Sequence, residues 1–197
     1  MDGTLTRPPT VYPTTSRFTA LDLQSYGYRP RGLTDAVYDS LRSQAQAQGT
    51  YNIAAGAVSQ KLTDLAAAGI DSPVLYWDNG DISLAFGDFP AAYKRTLDAS
   101  TSCAGNSVTI VVSGPGNDLE YGGGRSTPYL AASIFVPDGM LSGQGGLNTI
   151  GTVFANVIDL GGSPDFYMDE CFVNNPPGAT LDATATNWRE DDSTDVS

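Results

Sequence analysis

Short runs of β-branched and aromatic residues, each closed by glycine or proline, restrict the fold of this chain more than any other feature. Val74-Leu75-Tyr76-Trp77 and Ile82-Ser83-Leu84-Ala85-Phe86 flank Asp78-Asn79-Gly80-Asp81. Asn-Gly between apolar runs is the strongest short hairpin signal, because both central turn positions need positive φ. An antiparallel hairpin over Val74–Phe86 is therefore expected. Arg17–Leu23, Ser107–Ser113, Thr127–Val136, Thr149–Leu160 and Phe166–Val173 read as further strands, and Tyr51 and Ile53 open another strand-like stretch. Pro137-Asp138-Gly139 is expected to end the Thr127 strand, and 114–124 and 139–146 read as glycine-rich loops. The strands do not alternate with helices, and no internal repeat is evident. The pattern predicts an all-β fold: a single jelly-roll β-barrel or sandwich of about eight strands, with one or two short helices and extended termini.

The best helix is Leu33–Gln48. Thr34 suits the N-cap, Asp35 the first turn and Gly49 the C′ position, while Val37, Leu41 and Ala45 share one face. Ser59–Ala68 is ambiguous, with a helical turn through Leu62, Leu65 and Ala66. Residues 1–16, with Pro8, Pro9 and Pro13 among Thr and Ser, read as an extended arm. The expected organisation is that arm, one β-barrel domain over 17–175, and an acidic tail over 176–197.

Charge narrows the function. The chain has 22 acidic and 10 basic residues, for a net charge of -12. The acids are 19 Asp and 3 Glu, and Lys61 and Lys94 are the only lysines. Short carboxylates in place of lysine are expected of a protein built for molar salt, where the Debye length is about 3 Å and self-repulsion is screened. Scattered arginines, with Arg29 and Arg31 the only close pair, argue against nucleic acid as a direct partner. The start Met1-Asp2-Gly3 lacks a basic region before an apolar one, so no secretory signal is expected. No apolar run reaches the length of a membrane-spanning helix.

The chain contains no His, which excludes Ser-His-Asp and Cys-His catalysis and any imidazole metal ligand. Cys103 and Cys171 lack the spacing of a zinc or redox site and read as free core thiols or a disulfide. Gly122-Gly123-Gly124 has no following Lys and reads as a loop rather than a phosphate cradle. Paired carboxylates remain: Asp118 with Glu120, and Asp165 with Asp169 and Glu170. A glycosidase would need two such groups facing each other across a cleft. Asp118 and Glu120 are also weak candidates for a bound cation, and Asp78-Asn79-Gly80-Asp81 lacks the alternating frame of a calcium loop. A solvated surface is the plainer reading of these acids, so no catalytic, metal or cofactor site is assigned. Tyr26, Tyr28, Tyr76, Trp77, Phe86, Phe89 and Tyr93 read as core and interface.

The arm around Arg7–Thr15, the Val74–Phe86 segment, the strands Ser107–Ser113, Thr127–Val136 and Thr149–Leu160, and the Asp-rich, Lys-poor composition together carry a resemblance. In size, pattern and composition the chain resembles the small single β-barrel major capsid proteins of haloarchaeal icosahedral viruses with an internal membrane. The resemblance implies an upright jelly roll without enzymatic activity or cofactor. It implies a virion protein, assembled in the host cytoplasm with copies of itself or a related capsid protein, over an underlying viral membrane. Two other readings stand beside it. A halophilic β-sandwich binding module (a spike or carbohydrate-binding domain) would need an aromatic-lined concavity or a bound cation. A small carboxylate hydrolase would need two facing acids.

Overall fold

The computed structural model describes residues 33–96, 106–123, 128–145, 147–162 and 164–167. The arm, the tail, the Arg17–Leu23 strand, Tyr26, Tyr28, Cys103, Cys171, Asp169 and Glu170 lie outside them. Among the described residues, two α-helices, α1 (Asp35–Gln48) and α2 (Val58–Ala67), precede eight strands. These are β1 (Val74–Trp77), β2 (Ile82–Ala85), β3 (Lys94–Arg95), β4 (Val108–Val112), β5 (Leu119–Gly122), β6 (Tyr129–Gln144), β7 (Asn148–Leu160) and β8 (Asp165–Tyr167).

Helix α1 follows its sequence signals. Thr34 has extended backbone, and its Oγ1 accepts the Val37 N–H at 3.4 Å. Gly49 takes the left-handed conformation at φ 67°, where a side chain would be strained, and closes the last turn. Val37, Tyr38, Leu41 and Ala45 are buried. The ambiguous second segment is helical, with Val58, Leu62 and Leu65 buried. Tyr51 makes only an isolated bridge to Tyr76 rather than starting a strand.

The chain is rich in β structure as expected, but its pairing is not that of a jelly roll, whose strands run antiparallel. Here β1 pairs with β4, β4 and β5 with β6, β2 with β5, β6 with β7, and β7 with β8, all in parallel. The short β3, beside the start of β6, is antiparallel. The expected Val74–Phe86 hairpin is not formed, since β1 and β2 do not pair with each other. The Asn79-Gly80 turn, with Gly80 at φ 135°, carries the chain around a corner from one wall to the next.

The geometry of β6 and β7 shows why the sheet curls. Only residues 145–147 join them, a reach of about 10 Å. A straight strand of the 16 residues of β6 would span roughly 50 Å. Yet β7 runs parallel to β6 with Leu130 beside Thr149 and Gly143 beside Leu160. Both ends can match only if each strand winds back on itself, so the chain forms a parallel coil. Val74 aligns with Thr109, Ile110 with Ile134, Ile134 with Val153 and Asn148 with Asp165, so a turn shortens from 35 residues to 24, 19 and 17. These turns are an internal repeat that irregular length concealed from the sequence reading.

Stacked turns create ladders of like residues. Leu75, Ile110, Ile134 and Val153 line the interior of the first wall, and Leu84, Tyr121, Gly143 and Leu160 stack along the second. Both walls, α2, Phe89 and Tyr93 share one core. On the outer face of the first wall, Tyr76, Val111, Phe135 and Phe154 form another ladder, against which α1 lays its apolar face. That cover explains why the first wall is apolar on both faces and lacks clean alternation.

Aspartates tie the corners between walls. Asp118 N donates to Asp81 Oδ1 at 2.9 Å, Met140 N to Asp118 Oδ1 at 2.7 Å, and Gly114 N to Asp138 Oδ2 at 3.3 Å. Each carboxylate satisfies a main-chain donor of a neighbouring turn where the ladder is interrupted. At the third corner Pro137-Asp138-Gly139 bends β6, with a register shift, instead of ending it. A Cβ on Gly139 would lie 1.8 Å from Asn117 O, so only glycine lets these turns approach.

Candidate functional site: a polar cleft at the corner of the coil

Parallel strands bring their carboxyl ends to one edge, and loops leaving that edge often build ligand sites. Here β1, the stretch after β4, and the β6 bend end together beneath the first half of α1. They enclose an open cleft of about 280 Å³. It is lined by Asp35, Tyr38, Asp39 and Arg42 of α1, by Tyr76 and Asp78 at the end of β1, by Ser113 and Gly114 after β4, and by Pro137 and Asp138 of the β6 bend.

A connected network links several of these groups. Arg42 Nη1 donates to Asp39 Oδ1 at 3.0 Å, and Nη2 to Tyr76 Oη at 3.3 Å. Arg42 Nε sits 3.2 Å from Asp78 Oδ2, an ion-pair contact whose angle falls short of a hydrogen bond. The guanidinium carbon also lies 5.2 Å from the Tyr76 ring centroid. Burial lowers the guanidinium pKa, but Tyr76 and Asp78 beside it more than reverse this and hold it up. Tyr51 Oη donates to the Asp78 carboxylate at 2.9 Å, and Asn52 Nδ2 donates to it at 3.0 Å. The hydrogen bond to Asp78 is the main cause that raises the Tyr51 phenol pKa. Ser113 Oγ bonds Tyr76 Oη at 2.9 Å, and both residues are buried.

The candidates read from the sequence fall elsewhere. Asp118 is a corner tie whose Oδ1 is taken by the Met140 N–H. Glu120 lies on the exposed face of β5, between inward-facing Leu119 and Tyr121. Asp165 begins β8 on the surface. Among the described residues, no three His, Cys, Asp or Glu side chains converge as a metal-ligand group. Tyr76, Trp77, Phe89 and Tyr93 are core residues as expected, and Phe86 is partly buried with the Lys94 ammonium 4.2 Å from its ring. The cleft was not legible beforehand: Arg42, Asp78, Ser113 and Asp138 lie on four segments, and only the coil joins them. Asp78 stood out in the Asn-Gly motif, but as a turn residue.

A second feature lies at the end of the coil. Ile82, Leu119, Leu141 and Ile158 align across four strands of the second wall. Leu119 and Leu141 are fully buried, whereas Ile158 is 41% exposed. The described part of β8 pairs only with Asn148–Ile150 of β7. Among the described residues, Val157–Leu160 therefore has no strand on its far side.

No protein-family model matches this chain, and no curated protein or solved structure matches it either.

Proposed function

We propose that the chain is a structural subunit that associates through the open end of its coil. In the specific form suggested by its composition and size, the assembly is a virion shell built with copies of itself or a related shell protein. One observation carries the associative reading: Ile158 stands exposed in a ladder whose neighbours Leu119 and Leu141 are fully buried. A stacked-repeat fold buries its core through neighbours, so a last turn that no described strand covers invites another strand or surface. The Asp-rich surface supports the high-salt part of the reading. At molar salt, long-range attraction is screened, so contacts between subunits rest on apolar burial and short hydrogen bonds.

Multi-angle light scattering on a sizing column tests this, with the full chain and Ile158→Glu at molar and at low salt. A concentration-dependent species larger than a monomer, lost in the variant, is expected. A wild-type monomer at every concentration and salt would refute it. A binding module is the second reading, favoured by the cleft between α1 and the corner, where Tyr38 and Tyr76 border polar groups.

A further inference from the structure

We infer that the open end of the coil is a self-complementary surface whose partner is a second copy of this chain, joined tail to tail about a two-fold axis. The inference rests on the associative reading above and names the partner and the symmetry of that same surface.

Apolar exposure is concentrated at this end. Among the described residues, the exposed large hydrophobics are Ile158, Phe166 and Tyr167, all on β7 and β8, the last turn. Ile158 continues the ladder of buried Leu119 and Leu141, and Phe166 continues, through Thr149, the ladder of buried Leu130. Val153, Ala155 and Leu160 of β7 pack against the same core but are only partly buried. These side chains belong to interior ladders, so the described end of the coil presents core.

The opposite end is closed, and that decides the symmetry. Strand β1 is buried along its whole length. Asn52 N donates to Tyr76 O at 2.8 Å and Tyr76 N to Thr50 O at 3.3 Å, which uses the outer edge of β1. Val74 N donates to Gln48 Oε1 at 2.9 Å. Ile53 and Ala55 lie against the core, and α2 adds Val58 and Leu62, both fully buried. Head-to-tail stacking would need an open apolar surface here, and the described residues of this end offer none. Copies of this chain can then meet through the coil end only tail to tail, as an isologous two-fold contact.

The edge of β7 suits its own copy. Opposite residues of an antiparallel pair share a face of the sheet. Pairing centred on Ile158 sets it against Ile158 of the second copy, with the interior ladders of both copies on one side. The same register places Asp159 opposite Val157 of the second copy, so the two carboxylates are not opposed. The end face measures about 25 Å along the first wall and about 20 Å across both walls, roughly 500 Å² per copy. Two such faces bury about 1,000 Å², the lower limit of a specific interface, so the dimer is expected to be reversible. Each copy carries a net charge of -12, so pairing should strengthen where salt screens the repulsion. A two-fold pair closes on itself, and a shell of many copies would need a further contact elsewhere on the chain.

Sedimentation equilibrium on the full chain in molar salt tests this, together with disulfide trapping. A monomer–dimer equilibrium with a Kd of about 10–100 µM is expected, with no species beyond the dimer. Ile158→Glu should weaken it at least about tenfold, because pairing would bury two like charges, with melting curves confirming that the variant folds. Opposite residues in an antiparallel pair lie about 4.5–5.5 Å apart at Cα, within disulfide reach. Ile158→Cys, in a chain also carrying Cys103→Ser and Cys171→Ser, should therefore oxidise to a covalent dimer. A wild-type monomer up to about 1 mM, where even a small interface would show, would overturn both this inference and the associative reading. Association that Ile158→Glu abolishes but that grows past the dimer with concentration would overturn the two-fold pairing alone. A dimer that Ile158→Glu leaves intact and Ile158→Cys does not cross-link would place the contact on another face and overturn it as well.

Discussion

Truncating one residue in the middle of the second-wall ladder and one at its end tests the coil directly. Leu141 and Ile158 are register partners in adjacent strands, with similar side-chain size and the same ladder. They differ in cover: Leu141 is fully buried, and Ile158 is 41% exposed. Leu141→Ala removes buried methyl groups and leaves a cavity lined by Leu119 and the opposite wall, costing about 3–4 kcal/mol. Ile158→Ala loses only the buried part of its transfer energy, and solvent at the open end replaces the cavity, so about 1 kcal/mol is expected. The difference of about 2–3 kcal/mol corresponds to roughly 4–12 °C in Tm for a chain of this size. Urea denaturation and thermal melts at protein concentrations below any association would measure it. Equal losses at the two sites would refute the reading, because they would mean that a further layer covers Ile158 as completely as Leu141. A loss below 1 kcal/mol at Leu141 would refute the stacked interior itself.

Tyr121 is buried in the core, its Oη has no hydrogen-bond partner, and burial raises its pKa well above the ordinary phenol value of 10.0. Tyr121→Phe is therefore expected to stabilise the fold by about 1 kcal/mol in urea titrations near neutral pH. In the wild type the unfolded phenol loses its proton first, so stability should fall as pH climbs past about 10, and Tyr121→Phe should lose that part of the slope. Gly139→Ala drives a Cβ into Asn117 O and strains the corner bonds of Asp118 and Asp138, so a loss of about 3 kcal/mol is expected by the same titration. With a net charge of -12, Tm should rise as salt increases from about 0.1 M to 1 M, and an unchanged Tm would remove the support for high-salt adaptation.

Local signals proved legible where a few adjacent residues decide the outcome. Thr34, Asp35 and Gly49 placed the ends of α1, because capping is a matter of neighbouring backbone groups. The β-branched runs at 107–113 and 149–160 are β4 and β7, because their side chains suit a pleated, packed surface whichever strand lies beside them. Asn79-Gly80 was misleading: it specifies a sharp change of direction, and a hairpin turn and a coil corner both need one. Pro137-Asp138-Gly139 misled in the same way, since a bend within β6 and the end of a strand share the same residues. A run such as Ser133-Ile134-Phe135-Val136 followed by Thr152-Val153-Phe154-Ala155, each with a glycine pair several residues on, was the available sign of stacked turns.

The sequence by itself determined the ends of α1, the extended runs of β1, β2, β4, the first half of β6 and β7, and that the chain is acidic, whereas β5 and the second half of β6 lie in stretches that read as glycine-rich loops. The legible features depend on side-chain volume, branching, capping and charge, which act over a few residues. Tertiary structure decided that the strands pair in parallel and that Ile82, Leu119, Leu141 and Ile158 share a ladder. It also decided that Arg42, Asp78, Ser113 and Asp138 meet in one cleft. Pairing partners lie 17 to 37 residues apart, and β propensity is blind to the direction of the neighbouring strand. The closure of each turn, set by short connections and by glycine and aspartate at the corners, makes that choice.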